Sequence, residues 1–190
     1  MSDNGGIVPD TLKILVAGGF GAGKTTLVAA LSEVESLHTE EVMTEESIGV
    51  DDLQGVEAKN TTTVALDFGR ITLDERTVIY MFGTPGQGRF AFMWDELAEG
   101  ALGAIVLADT RRLADCFESI DFCEQRQLPF VVAGNCFDGH KSHTPDDVRV
   151  ALDLDGNVPV MLCDARERES VKGVMVDLVS HVLELELSGA

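Results

Sequence analysis

The stretch LKILVAGGFGAGKTTLVAALS, residues 12–32, joins an apolar run to a glycine-rich loop and then to a segment of helical character. Leu12–Ala17 predicts a strand and Lys24–Ser32 predicts a helix. Between them, Gly18–Thr25 matches the pattern GxxxxGK[ST] in full. Glycines allow successive backbone N–H groups to point at phosphate oxygens, Lys24 adds a positive charge, and the threonine after it adds a hydroxyl for Mg²⁺. The sequence therefore predicts a phosphate-binding loop between a first strand and a first helix.

Further apolar runs predict the rest of the fold. Together with the first run they predict six strands, at 12–17, 64–68, 77–82, 104–108, 130–133 and 158–163. The later runs are continuous rather than alternating, which is typical of strands buried on both faces of a mostly parallel sheet. We therefore predict a three-layer α/β domain at residues 11–190, without a second domain, and a flexible N-terminus at residues 1–10.

Two later segments have the period of amphipathic helices. The core faces that they predict consist of Leu113, Cys116, Phe117, Ile120 and Cys123 in the first helix, and of Val171, Val174, Leu178, Val182 and Leu185 in the second. His181 is expected on the surface of the second helix. The four cysteines are too scattered for a disulfide framework and are expected to be reduced.

The composition argues against several classes of function. The 190 residues carry 33 Asp and Glu against 14 Lys and Arg, and the net charge of −19 argues against binding to nucleic acid or to an anionic membrane. No apolar run approaches the roughly 20 residues that span a bilayer, and we recognise neither a secretion signal nor a lipidation motif. We therefore expect a cytoplasmic protein that would need a partner for any recruitment to a membrane.

One acidic segment interrupts the order of strands and helices. Glu33–Glu57 carries nine carboxylates and no Lys or Arg, and its periodicity is weak. This pattern predicts a long mobile loop, with at most one short helix.

Four further segments complete a resemblance to the Ras-like small GTPases. They are Thr63 with the strand VALDFGRI, FGTPGQGRF at Phe82–Phe90, NCFD at Asn135–Asp138 and CDA at Cys163–Ala165. With the phosphate-binding loop they match the five G motifs of that family in order and spacing. The resemblance implies a P-loop NTPase fold and bound GTP or GDP with Mg²⁺, with nucleotide contacts from Gly19, Gly21, Ala22, Gly23, Lys24, Thr25 and Thr26.

The NCFD segment is a candidate for recognising the base. Asn135 and Asp138 follow an apolar strand, at the edge where open α/β sheets bind ligands. An Asp there can accept hydrogen bonds from both the ring N–H and the exocyclic amine of guanine, a pair that adenine does not offer. The alternative for NCFD alone is an Asx turn before Gly139. In the family pattern NKxD, which this segment resembles, the position of Cys136 is a lysine whose aliphatic side chain lies on the base.

The CDA segment corresponds to the second base-recognition loop of the family. The resemblance places Cys163 and Asp164 in this loop and implies that the backbone N–H of Ala165 donates to the guanine carbonyl. Two thiols, of Cys136 and Cys163, would then lie near the base, although the sequence favours buried and unreactive cysteines.

The first switch is assigned to the acidic segment and to Thr63. By the resemblance of TVALDF to the Rab-type TIGVDF, Thr63 would close on Mg²⁺ and the terminal phosphate. Thr61 and Thr62 are close competitors for this role. TTT is also a favourable start for an edge strand, without any further function.

The second switch is assigned to FGTPGQGRF, which resembles the Rab-type DTAGQERF. The resemblance implies that Gln87 orients the attacking water and that Gly86 supplies an N–H to the γ-phosphate. Arg89 is a candidate arginine finger, with an ordinary solvated residue as the alternative. Gly83 replaces the Asp that usually holds Mg²⁺ through a water. This departure predicts weak metal binding, through Thr25, the phosphates, water and, in the GTP state, Thr63.

The FGTPGQ and NCFD variants are similar to those of the small GTPases of the actinobacterial conservon operons, a branch near the bacterial polarity GTPase MglA. This resemblance implies a roadblock-fold regulator and a histidine-kinase-like sensor as partners. The sequence thus predicts a guanine-nucleotide switch with slow GTP hydrolysis. Its rival is a nucleotide-binding scaffold with little or no hydrolysis, which the glycine at 83 and the cysteine at 136 favour.

Overall fold

The computed structural model describes residues 9–35, 37–44, 61–86, 92–137 and 143–189, and of these only the backbone at 37–44 and 61–65. The strands are β1 (Asp10–Ala17), β2 (Leu37–Thr44), β3 (Thr61–Thr72), β4 (Thr77–Gly83), β5 (Gly103–Asp109), β6 (Phe130–Asn135) and β7 (Val160–Cys163). The helices are α1 (Lys24–Leu31), α2 (Phe92–Ala98), α3 (Phe117–Gln125), α4 (Pro145–Ala151) and α5 (Arg168–Ser188), and a 3₁₀ turn at Leu113–Cys116 precedes α3.

The seven strands form one sheet in the order β2-β3-β4-β1-β5-β6-β7. β4, β1, β5, β6 and β7 run parallel, and β2 and β3 pair antiparallel with their neighbours. The mostly parallel α/β fold is therefore confirmed, and each of the six predicted strands is present. Because the carboxyl ends of parallel strands lie at one edge of the sheet, the segments that follow β1, β4, β5, β6 and β7 meet at that edge.

The core lies on both faces of the sheet, because side chains alternate along each buried strand. In β1, Ile14 and Val16 pack on the face covered by α1 and α5, and Leu15 and Ala17 pack on the opposite face with residues of α3 and α4. All four are at most 2% exposed. This double burial explains why the strand runs are continuously apolar, as predicted.

β2 was not predicted, and the sheet has seven strands rather than six. It lies inside Glu33–Glu57 and pairs antiparallel with β3, from Leu37 opposite Phe68 to Thr44 opposite Thr61. Because an edge strand needs only one neighbour and tolerates charged side chains, backbone pairing with β3 places an acidic sequence in the sheet. The expectation that this whole segment is a loop is therefore wrong, and residues 45–57 lie outside the described part.

Three side chains on the helices differ from the predicted pattern. His181 is only 8% exposed, and Phe117 and Leu185 are 40% and 39% exposed although they were expected in the core. His181 lies beside Val182 and one turn from Leu178 on α5, so the body of its ring continues the apolar face of the helix. Within the described residues, no helix is long and apolar enough to cross a bilayer.

Candidate nucleotide site

The phosphate-binding loop connects β1 to α1 at the carboxyl edge of the sheet. Gly23 caps α1 with a φ of 105°, a conformation that side chains disfavour. A Cβ at this position would lie 2.7 Å from the Asn135 Nδ2 atom. Glycine is therefore required here both by the backbone conformation and by the close approach of the Asn135 side chain.

Lys24 is held inside this loop. Its Nζ atom donates to the carbonyl oxygens of Gly18 and Gly19, at 2.7 and 2.8 Å, and the residue is 8% exposed. Burial lowers the pKa of Lys24 to about 8, although the nearby carboxylate of Asp67 acts in the opposite direction. A partly desolvated ammonium at the loop is suited to pairing with an anionic ligand.

The loop opens into a cavity of about 580 Å³. Gly21, Thr25 and Thr26 line it from the loop and α1, and Thr84–Gly86 line it from the segment after β4. A Cβ on Gly86 would lie 2.6 Å from the Lys24 Nζ atom. The structure thus brings Gly86 against the phosphate-binding loop, and its contact with a γ-phosphate remains a prediction.

A carboxylate lies where the sequence predicted none. The Thr25 hydroxyl donates to Asp67 Oδ2 at 2.7 Å, and Asp67 is directly opposite Gly83 in the pairing of β3 with β4. A Cβ on Gly83 would lie 2.9 Å from that same Oδ2 atom. The expectation that Gly83 leaves this end of the site without an acceptor is therefore wrong. The sequence contained the signal, VALDF, but only the strand register shows which residue faces position 83.

Asn135 connects the two candidate base loops to the phosphate-binding loop. Its amide Nδ2 donates to the carbonyl oxygen of Ala22 at 2.9 Å, and its Oδ1 accepts from the backbone N–H of Ala165 at 3.1 Å. Gly23, Thr26, Asn135 and Ala165 border a second cavity of about 80 Å³. Asn135 and Ala165, which are far apart in sequence, therefore meet beside the phosphate-binding loop.

The two thiols near this point are buried. Cys136 and Cys163 are both 3% exposed, and the backbone N–H of Cys136 donates to the Cys163 carbonyl at 2.7 Å. Burial raises the pKa of Cys163 to about 12, so this thiol is unreactive at neutral pH. Asp164 is held by a bidentate contact with Arg166, and these hydrogen bonds lower its pKa to about 2.

Two arginines that follow β5 were not predicted as site residues. The guanidinium of Arg111 donates to both oxygens of the buried Asp109, at 2.9 and 2.8 Å, and lies 3.9 Å from the ring centre of Phe137. Arg112 donates to the Phe20 carbonyl in the phosphate-binding loop at 3.0 Å. No residue spacing in the sequence indicated the contacts with Phe137 and Phe20, because these two depend on the order of β1, β5 and β6 in the sheet.

Several predicted residues are not placed. Gln87, Arg89 and Asp138 lie outside the described residues, and Thr63 is described only as part of the backbone of β3, opposite Val42. Their roles remain predictions. Within the described ranges, no group of three or more His, Cys, Asp or Glu side chains is arranged to hold a metal ion.

The fold is similar to solved G domains. The G domain of the T. maritima FeoB iron transporter has a TM-score of 0.61 at 19% identity, covering 90% of this chain and 99% of that chain. The FeoB G-domain from Methanococcus jannaschii has a TM-score of 0.60 at 14% identity, covering 91% of this chain and 98% of that chain. The T. maritima FeoB cytosolic domain in GDP form I has a TM-score of 0.63 at 16% identity, covering 92% of this chain and 64% of that chain. These likenesses confirm the P-loop GTPase fold.

Sequence relatives place the chain in a family. The uncharacterized protein MJ1339 of Methanocaldococcus jannaschii is 32% identical over 123 residues, which make up 64% of this chain and 67% of that protein. A family model described as a conserved hypothetical ATP binding protein matches residues 16–185, from the end of β1 into α5. This chain therefore belongs to the family of conserved hypothetical ATP-binding proteins.

Proposed function

We propose that this chain is a guanine-nucleotide-binding switch that hydrolyses GTP slowly. The observation that carries the proposal is the position of Asn135, whose amide joins the phosphate-binding loop at Ala22 to the second base loop at Ala165. A nucleotide with its phosphates at Lys24 would have its base at this junction. Residues 11–190 would act as one G domain.

The phosphates would be held by the residues around Lys24. Its ammonium would exchange the carbonyls of Gly18 and Gly19 for phosphate oxygens, and the Thr25 hydroxyl would turn from Asp67 towards Mg²⁺. When bound, Mg²⁺ would neutralise charge on the β- and γ-phosphates. In the GTP state, Thr63 and the N–H of Gly86 would contact the γ-phosphate end.

The choice of guanine over adenine rests on NCFD. Asn135 lies at the junction of the phosphate-binding loop and the CDA segment, and Asp138 follows it by three residues in the sequence. A carboxylate there would accept two hydrogen bonds from guanine, whereas adenine presents an acceptor in place of one of these donors. The structural neighbour FeoB, solved in a GDP form, agrees with guanine. The family is described as ATP-binding, so ATP is the rival ligand.

The Asp138→Asn variant tests this assignment. We expect the affinity for GDP to fall and that for xanthosine diphosphate to rise, because the exocyclic oxygen of xanthine prefers a donor. Asp146→Asn removes the same charge from an exposed position in α4 and should change neither affinity. If both nucleotides respond equally to Asp138→Asn, then Asp138 does not recognise the base.

The switch itself can be followed by limited proteolysis. Residues 33–63 include the assigned first switch, and Thr63 is expected to close on the γ-phosphate end of the site. Cleavage in this range should therefore be slower with a non-hydrolysable GTP analogue than with GDP. In Lys24→Ala the two nucleotides should give the same pattern, and equal cleavage in the wild type would refute a switch of this segment.

Hydrolysis separates this proposal from its rival, a scaffold that binds nucleotide without turnover. Gly83 and Cys136 favour the rival, because a cysteine at 136 leaves the base without the lysine stem found in the family pattern. We expect measurable phosphate release by the wild type and slower release by Gln87→Leu, since the glutamine would orient the attacking water. Gln125→Leu, at the end of α3, is the control. Equal release by wild type and Gln87→Leu would favour the scaffold.

The finer assignment is to the conservon-type branch near MglA, on the strength of FGTPGQ and NCFD. A roadblock-fold regulator and a histidine-kinase-like sensor would then be the partners, and they would recruit this otherwise cytoplasmic protein to the membrane. The acidic first-switch segment would face them. The test is to remove the charges of Glu40, Glu41, Glu45 and Glu46 and to vary the nucleotide. If neither change affects binding to such a partner, this assignment is refuted.

A further inference from the structure

We propose that a cavity at the opposite edge of the sheet from the candidate nucleotide site binds an arginine side chain of a partner protein. This amino-edge cavity has a volume of about 200 Å³, and its lining comes from residues 123–130, 155–158, 181 and 185. Phe130 begins β6 and Asn135 ends it. At about 3.3 Å per residue, the cavity lies roughly 17 Å from the Asn135 junction. It is therefore separate from the nucleotide site and does not depend on the proposed function.

The floor of the amino-edge cavity is formed by buried residues. Cys123 from α3, Phe130 from β6, Val158 before β7 and His181 from α5 are each at most 8% exposed. Burial raises the pKa of Cys123 to about 12, so its thiol stays protonated and acts as a small apolar group. The buried part of the lining is thus apolar except for the imidazole of His181.

The imidazole of His181 has no partner in the described part of the chain. The residue is 8% exposed, and none of the hydrogen bonds or ion pairs between described residues involves its side chain. Buried polar side chains nearly always have a hydrogen-bond partner. A neutral imidazole offers one donor and one acceptor, and an unpartnered one in the wall of a cavity is suited to a polar ligand group.

The rim of the amino-edge cavity is exposed and rich in acceptors. Glu124 and Gln127 contribute to it from the end of α3, and Asp155 and Asn157 from the segment before β7. The lining includes no Lys or Arg, and the ion pairs found between described residues include neither carboxylate. Arg149 donates to the main-chain carbonyl of Asp155, at 2.7 Å, rather than to its carboxylate. The rim therefore favours a cation with several donors.

An arginine side chain combines the properties that this lining requires. Its aliphatic stem would pack on the apolar floor and on Leu185, and its planar guanidinium has five donors for the imidazole and the oxygens of the rim. A cavity of about 200 Å³ is smaller than the roughly 300 to 1,000 Å³ of sites for drug-sized ligands, but it has room for one long side chain. The net charge of −19 also attracts a basic partner.

An NMR titration of the ¹⁵N-labelled protein tests the proposal with two capped peptides, acetyl-Gly-Arg-Gly-amide and its citrulline counterpart. Citrulline has nearly the shape of arginine and no charge. We expect the arginine peptide to bind about tenfold more tightly, because charge-assisted hydrogen bonds are roughly twice as strong as neutral ones. The shifts should centre on residues 123–130, 155–158 and 181–185. Equal affinities, or shifts spread over the whole acidic surface, would overturn the proposal.

Removing the charges of the rim separates this site from general attraction to an acidic protein. In the double variant Glu124→Gln, Asp155→Asn the two peptides should bind with nearly equal affinity. The matched control is Glu96→Gln, Asp146→Asn, which removes the same two charges from exposed positions in α2 and α4 and should keep the tenfold preference. An equal loss of preference in both double variants would refute the site.

Variants of His181 test the floor. His181→Leu should weaken the binding of both peptides by about 3 to 10-fold, because each loses a hydrogen bond. His181→Gln keeps a donor and an acceptor and should retain most of the affinity. Binding to His181→Leu as tight as to the wild type would contradict the role of the imidazole. If this variant does not fold, as judged by circular dichroism, the rim variants decide the question.

Agmatine, a free guanidinium compound, distinguishes a partner protein from a small molecule as the source of the ligand. It carries the same head group on an aliphatic stem but no peptide backbone. We expect it to bind no more tightly than the arginine peptide, because the rim is open to solvent and can accept a side chain from another protein surface. Binding of agmatine more than about tenfold tighter than that of the peptide would overturn the assignment to a partner protein.

Discussion

At the scale of single residues, burial determines how Lys24 responds to pH. The pKa of its ammonium is lowered to about 8, because the side chain is desolvated inside the phosphate-binding loop. Phosphate groups would favour the charged form, so binding of a nucleotide is coupled to uptake of a proton when the pH exceeds this pKa. The consequence is a loss of affinity with rising pH near 8.

We expect the affinity for mant-GDP to be level between pH 7 and 8 and to fall above pH 8, by up to about tenfold per pH unit. Circular dichroism over the same range checks that the fold is unchanged. Lys24→Ala should abolish binding at every pH, because the loop then loses the ammonium that meets the phosphates. An affinity that stays constant to pH 9 would show that Lys24 is already fully charged in the free protein.

Arg111 has two contacts beside the candidate base-recognition segment. It pairs with Asp109 and lies over Phe137, the residue between Cys136 and Asp138. Arg111→Ala should weaken mant-GDP binding by roughly 3 to 10-fold, since a cation–π contact is worth about 1 kcal/mol. Arg126→Ala is the matched control, because Arg126 also pairs with an aspartate, Asp95, and lies over a phenylalanine, far from the site in sequence. An equal effect of both variants would contradict a role for Arg111 in the site.

At the scale of elements, the segment after β4 begins with a hydrogen bond to β1 and then lies against the phosphate-binding loop at Gly86. The backbone N–H of Thr84 donates to the Val16 carbonyl at 2.9 Å, and a Cβ on Gly86 would lie 2.9 Å from the Cα atom of Phe20. The segment therefore begins at a fixed point and runs directly over the loop. It is suited to reporting what occupies the γ-phosphate end.

Gly86→Ala tests this close approach. The added methyl group would meet Lys24 and the backbone at Phe20 and push the segment away from the loop. We expect a larger loss of affinity for a non-hydrolysable GTP analogue than for GDP, because only the former would use the Gly86 N–H. Gly156→Ala, where an added Cβ has no neighbour within 4 Å, is the control. Equal losses for the two nucleotides would contradict a γ-phosphate contact at Gly86.

The elements also show what the sequence could predict. Strands buried on both faces are continuously apolar and were all found, and the loop GGFGAGKT was placed between the expected strand and helix. β2 was missed because an acidic edge strand depends on pairing with β3 rather than on its own pattern. The position of Asp67 was missed for a related reason, since only the strand register sets it against Gly83.

At the scale of the whole molecule, the carboxyl edge of the sheet brings together loops from five strands. An occupied site would connect the segments after β1, β4, β6 and β7, of which those after β1, β6 and β7 are already joined by the Asn135 side chain. Ligand binding to the folded state alone raises stability by about 2.7 kcal/mol when the ligand is at 100 times its Kd. The nucleotide should therefore stabilise the complete domain against heat.

We expect GDP with Mg²⁺ to raise the Tm by roughly 5 to 10 °C at that concentration, because about 1 kcal/mol corresponds to 2 to 4 °C for a domain of this size. Differential scanning calorimetry measures this shift directly. ADP at the same concentration should give a much smaller shift, and Lys24→Ala should show none with either nucleotide. A shift that survives in Lys24→Ala would place the ligand elsewhere on the protein.

The most direct test of the central claim is the affinity of the nucleotide-free protein for mant-GDP and mant-ADP, measured side by side in excess Mg²⁺. A site that hydrogen-bonds the edge of guanine rejects a base with the wrong donors strongly, so we expect mant-GDP to bind at least ~100-fold more tightly. Equal affinities, or tighter binding of mant-ADP, would contradict the assignment of this chain as a guanine-nucleotide switch.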